Sequence, residues 1–123
     1  MDLSELTIIQ IREKLKNKEI NAVDLTSSII KKIEEDDKRE DKINAYLEVF
    51  KEDALEQAKK SQERIDKGED LPLLGVPLCI KDNLCYKNHT MTAASKMLEG
   101  YKAPYTAPTV QRLIDNGAII LGR

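Results

Sequence analysis

Hydrophobic positions recur along the first part of this chain with a helical period and run together along the rest. Thr7-Ile8-Ile9-Gln10 has the form of a capping box, a threonine N-cap with glutamine three residues on. Ile8, Ile11 and Leu15 then share one face, which predicts a helix to about Asn17. Asn21 with Asp24 marks a second helix start. Leu25, Ile29 and Ile33 follow at spacings of four, with Lys31, Lys32, Glu34 and Glu35 off that stripe. The run from Glu34 to Lys42 is almost wholly charged and mixed in sign, the composition of a solvated helix end and loop. Residues 1–42 therefore read as a helical hairpin.

Between Ile43 and Phe50 the period shortens to two. Ile43, Ala45, Leu47 and Val49 share one face, and Asn44, Tyr46, Glu48 and Phe50 the other, which predicts a strand. A third helix is expected from about Lys51, with Ala54, Ala58 and Ile65 inward and Gly68 as its C-terminal stop. Leu71 to Ile80 carries no charge and is almost continuously apolar. It predicts a buried strand at about Val76 to Lys81, with Pro72 and Pro77 where a missing N–H matters least. Asn83 to Pro104 has little periodicity beyond a short helical turn at Ser95 to Leu98. Thr106 is expected to cap a fourth helix, with Pro108 in its first turn and Val110, Leu113 and Ile114 inward. Gly117 ends that helix, and Ala118-Ile119-Ile120-Leu121 predicts a second apolar strand. Residues 43–123 thus read as the start of an α/β core. A strand this apolar needs cover on both faces, typically from later helices, yet only Gly122 and Arg123 follow it. The expectation is a truncated chain whose last strand has lost its cover and whose fold is weakened.

Composition narrows the class without changing this outline. The chain has 123 residues, 41% hydrophobic and 34% charged, enough for one domain with a modest core. Its formal net charge of −2 argues against phosphate backbones as a main partner. No apolar run approaches the ~18 residues that would span a bilayer. Met1-Asp2-Leu3-Ser4-Glu5 lacks the basic and apolar regions of a secretory signal, so a cytoplasmic location and no membrane partner are expected. Cys79 and Cys85 have neither zinc nor thioredoxin-like spacing and read as small, semi-buried thiols. The single histidine, His89, sits in a polar stretch and reads as a loop residue, so no metal site is expected.

Chemistry concentrates at Lys81, the one charged residue ending the run Val76-Pro77-Leu78-Cys79-Ile80. On a strand, Pro77, Cys79 and Lys81 share one face, and Val76, Leu78 and Ile80 the other. An ammonium placed there loses hydration, which favours its neutral form and makes it a usable general base for a hydroxyl nucleophile. The adjacent Asp82 would point away. The competing reading is a lysine that marks the strand end and reaches to solvent. The pattern alone leaves both open.

Gly75-Val76-Pro77-Leu78-Cys79-Ile80-Lys81-Asp82-Asn83 resembles the Gly-hydrophobic-Pro to Lys-Asp-Asn segment of the amidase signature family. Thr92-Ala93-Ala94-Ser95-Lys96-Met97-Leu98 is similar to the branch of that family serving the glutamyl-tRNA(Gln)/aspartyl-tRNA(Asn) amidotransferases. Pro104-Tyr105 and Gly117 to Gly122 continue the likeness, which covers essentially the whole chain. The resemblance implies the N-terminal portion of an α/β fold, a mixed central sheet covered by helices, incomplete here. It implies amide hydrolysis by a Ser–cis-Ser–Lys triad, with Lys81 as the base acting through the cis-serine, and glutamine as the substrate. It further implies B and C partner subunits, tRNA met through the complex, no cofactor in this subunit, and ATP with Mg used by the partner.

The same resemblance places both family serines in a Gly/Ser-rich segment that this sequence does not contain. Ser4, Ser27, Ser28, Ser61 and Ser95 lie in other contexts, and Ser95 matches a position with no nucleophile role. Pro108 stands where threonine is common in this branch, a change that a helix's first turn accommodates. The chain alone is therefore expected to be inactive, with substrate-binding groups downstream of Arg123. Two alternatives stand beside this reading: part of a stand-alone amidase acting on another amide, and a non-catalytic binding module.

Overall fold

The computed structural model describes residues 2–123, and two of its four α-helices start where local side-chain chemistry sets them. Helix α1 (Ile8–Lys16) opens on the expected capping box: Gln10 N–H bonds the Thr7 hydroxyl, and the Gln10 side chain takes the Thr7 N–H at 2.9 Å. Helix α2 (Ala22–Asp36) starts at Asn21, whose side-chain oxygen accepts from Asp24 N at 2.7 Å. Helix α3 (Lys51–Asp66) packs against α2 and buries Ala54, Ala58, Ser61 and Ile65. Past its end, Gly68 takes a left-handed φ of +87°, open to glycine without a Cβ penalty.

The strand expected over Ile43 to Phe50 does not form. Asn44 has a φ of +54°, which breaks an extended run, and Ile43 and Leu47 are 79% and 66% exposed although they belong to the face expected inward. The segment instead wraps the end of the last strand. Leu47 N and Glu48 N bond the Arg123 carbonyl at 2.8 and 3.1 Å, and Phe50 N bonds the Leu121 carbonyl at 2.9 Å. Alternation is a local signal, and here a neighbouring strand meets only the end of the segment, through a bridge between Val49 and Gly122.

Strand β1 (Pro77–Cys79) runs parallel to strand β2 (Ile119–Gly122), with helix α4 (Pro108–Asp115) on the connection between them. Pro77 faces Ile119 and Leu78 faces Ile120, after which the register shifts so that Cys79 faces Gly122. β1 is shorter than expected and stops before Lys81. Thr106 does not cap α4. Ala107 holds the N-cap position with no side-chain bond, and the Thr106 hydroxyl accepts from Lys87 N at 3.2 Å. Pro108 at the start of the helix removes one N–H that would otherwise need a partner, so the missing cap costs less.

The final strand is not uncovered. Ile119 and Ile120 are 0% exposed and Leu121 1%. Ile119 and Leu121 pack with Ile30 of α2 and Ala54 and Ala58 of α3, and Ile120 packs with Phe50, Ile80 and Val110. Helices that precede the strand in sequence supply the cover expected from helices after it. Gln57 of α3 adds a polar closure, its Oε1 accepting from Ile120 N at 3.0 Å while its Nε2 donates to Asp53 at 2.8 Å. Gln57→Leu leaves the Ile120 N–H without this partner and is expected to cost about 1–3 kcal/mol. Urea unfolding checks this, and an unchanged midpoint would show that Gln57 contributes nothing there.

Candidate active site

Alternation along β1 continues past its end and decides which way Lys81 faces. Val76 and Ile80 are buried, whereas Cys79 and Lys81 are exposed. The backbone around Lys81 is held on both sides. Ile80 N bonds the Gly122 carbonyl at 3.0 Å, Leu84 N bonds the Lys81 carbonyl at 3.0 Å, and Ala93 N bonds the Asp82 carbonyl at 3.0 Å. The side chain borders an open cleft of about 460 Å³, with Ala45, Leu47, Cys79, Asp82 and Arg123 among its walls. The loss of hydration expected of Lys81 is not found, because only the opposite face of the strand packs into the core and Lys81 stays open to solvent.

Asp82, in a turn past the strand, is buried and shares the cleft wall with Lys81. Its carboxylate accepts from Thr92 N at 3.1 Å, from the Thr92 hydroxyl, and from Arg123 Nη1. Arg123 also reaches Glu48, at 3.1 Å through Nε. Burial opposes ionisation of Asp82, but the Thr92 hydrogen bonds and the Arg123 guanidinium together outweigh it and hold the carboxyl below its usual range. A depressed folded-state pKa adds stability above the unfolded value near ~3.9 and loses it as pH falls through the folded value. Asp82→Asn is therefore expected to flatten the fall in stability below about pH 4. Thermal melts across that range check it, and an unchanged slope would remove Asp82 from the acid response.

Sequence reading had no local signal for this corner, since Thr92, Arg123 and Glu48 meet Asp82 only through the fold. It also missed what surrounds His89. The imidazole stacks on Tyr86 with centroids 4.1 Å apart and lies 4.3 Å from the Phe50 ring, with Nε2 3.4 Å from Asp53. The spacing of Tyr86 and His89, three residues apart, was the only available hint. Burial, reinforced by the Asp53 carboxylate, pushes the Tyr86 phenol well above its usual range. Tyr46 is pushed up to about 12, first by burial and then by the neighbouring Cys79 thiol.

Cys79 is exposed and Cys85 buried, both as free thiols. Partial burial of the Cys79 sulfur raises its pKa, against an opposing hydrogen bond with Tyr46, so it is no ready thiolate. Ser61 is buried in α3, Ser27 and Ser28 lie on α2, Ser4 bonds Asp2, and Ser95 caps its own short turn by accepting from Met97 N. Among the described residues, no group of three His, Cys, Asp or Glu side chains is arranged to hold a metal ion. No helix there is long and apolar enough to cross a membrane.

Residues 24–123 match the amidase family, and they include both strands, α3, α4 and the Lys81 corner. The chain belongs to the amidase family. Over its full length this amidase-family chain is 83% identical to the A subunit of glutamyl-tRNA(Gln) amidotransferase from Brachyspira hyodysenteriae, covering 26% of that protein. It is 42% identical to the corresponding protein of Thermoanaerobacter pseudethanolicus, again over its full length and over 25% of that relative. The chain thus spans about a quarter of the length of the curated relatives it matches. Among solved structures, the peptide amidase of Stenotrophomonas maltophilia superposes with a TM-score of 0.89 at 29% identity, over 97% of this chain and 24% of that one. A fatty acid amide hydrolase superposes with a TM-score of 0.88 at 18% identity, over 98% of this chain and 21% of that one, which shows the fold alone. The expected α/β amidase fold is borne out.

Proposed function

We propose that this chain carries the general-base lysine of a subunit that hydrolyses glutamine for a tRNA-dependent amidotransferase. The observation that carries the reading is Lys81 itself: a lysine two residues past β1, backbone fixed on both sides, facing an open cleft within an amidase-family fold. In this reading Lys81 takes a proton through a cis-serine from a nucleophilic serine. That serine attacks the glutamine side-chain amide, the C–N bond breaks, and ammonia leaves an acyl-enzyme that water hydrolyses to glutamate. Both serines, the substrate contacts and the oxyanion donors lie outside these residues, so the 123 residues alone hydrolyse no amide. The ammonia passes to a B subunit that activates misacylated tRNA with ATP and Mg, with a C subunit completing the complex. The glutamine-hydrolysing subunit itself uses no cofactor and works in the cytoplasm.

Full-length identity of 83% to the Brachyspira hyodysenteriae amidotransferase protein supports glutamine over other amides. The test is a chimera in which this chain replaces the matching quarter of that relative, assembled with the same organism's partner subunits. Ammonia release from glutamine and amidation of Glu-tRNA(Gln) are expected. Faster hydrolysis of a C-terminal peptide amide, with no tRNA amidation, would replace the reading with that of a stand-alone amidase.

A further inference from the structure

A lysine side chain has four flexible carbons, so the backbone that carries it decides where its amine can work. On the β2 side that backbone is fixed by Ile80 N on the Gly122 carbonyl. On the other side the fixed point is Asp82. Its carboxylate gathers Thr92 from the long loop and Arg123 from the end of β2, and its carbonyl takes Ala93 N at 3.0 Å. Two segments, the Thr92–Ala93 loop and Arg123 after β2, therefore close on the residue next to Lys81. Ala93 and Ala94 both hold positive φ, 48° and 58°, a conformation that costs alanine about 1–3 kcal/mol and persists only where surrounding contacts impose it. The Thr92 and Ala93 bonds to Asp82 are such contacts.

We propose that Asp82 is the positioning residue for Lys81. By binding Thr92 and Arg123 it fixes the backbone from which the lysine enters the cleft, and it neutralises the Arg123 guanidinium at the cleft wall. The inference rests on the reading of Lys81 as the base and adds a residue to it. Around this corner the titratable groups are Cys79 at the end of β1 and Lys81 past it, Tyr46 and Glu48 from the segment before α3, and Arg123 just after β2. Of these, Glu48 bonds Arg123 through Nε and remains when Asp82 is changed.

The chimera carrying Asp82→Asn tests it. A loosened lysine is expected to lower kcat for glutamine hydrolysis by about tenfold to a hundredfold, with KM for glutamine little changed. Thr92→Val, which removes one arm and keeps the side-chain volume, is expected to lower kcat in the same direction by less. It also serves as the measurement if Asp82→Asn fails to fold. A kcat loss that merely tracks the folded fraction, or one matched by an equal rise in KM, would overturn the proposal. So would an unchanged kcat in both variants while Lys81→Ala is inactive, and that outcome would leave Lys81 as the base. Full activity in Lys81→Ala would remove the base assignment, and this proposal with it.

Discussion

Gly117→Ala is expected to destabilise this chain by about 2–6 kcal/mol, enough to unfold a marginal domain. Gly117 has a φ of +93°, so any Cβ there meets backbone strain first. That Cβ would also lie 2.6 Å from Leu74 Cα and 2.9 Å from Leu74 N, both main-chain atoms that cannot swing aside. The close approach has a purpose in the fold. Gly75 N bonds the Gly117 carbonyl at 3.1 Å and Leu73 N bonds the Asn116 carbonyl at 3.0 Å, which fixes the entry to β1 against the entry to β2. Losing that contact would shift the two strands relative to each other and with them the backbone of Lys81. Equilibrium unfolding in urea measures the effect, and a stability within about 0.5 kcal/mol of the parent would mean that the turn is not under the constraint described.

Gly117 was legible in the sequence as a helix stop, but its contact with Leu74 was not. The same division runs through the molecule. Capping residues and helical stripes work within a few residues of themselves, so Thr7, Asn21 and the Ala54–Ala58–Ile65 face announced α1, α2 and α3 correctly. Strand signals depend on what lies alongside. The alternation from Ile43 to Phe50 looked as regular as any strand, yet a left-handed Asn44 and the lack of a partner along most of its length left Ile43 and Leu47 in solvent. The cover of β2 failed as an expectation for the converse reason. Ile119, Ile120 and Leu121 were recognised as needing two packed faces, but α3 and the Phe50–Val110 cluster supply them from earlier in the chain. At the candidate site, the side-chain period placed Lys81 opposite the buried Val76 and Ile80. Exposure of Lys81 was not legible, because it depends on which face of β1 receives the core.

The largest expected functional effect is at Lys81. If it is the base of the proposed amide hydrolysis, removing it leaves the serine nucleophile without a proton acceptor, which typically costs about 10²–10⁴ in rate. Glutamine binding does not use the lysine in this reading, so KM should change little and the loss should fall on kcat. An arginine at the same position keeps the positive charge but cannot lose its proton at working pH, so Lys81→Arg should be as inactive as Lys81→Ala. That pair separates a base from a cation that merely holds charge in the cleft. The decisive measurement is the steady-state rate of ammonia release from saturating glutamine by the chimera, compared with its Lys81→Ala variant at matched folded concentration. The account predicts a fall of at least about a hundredfold with glutamine KM preserved; a variant that releases ammonia at the parent rate would contradict it.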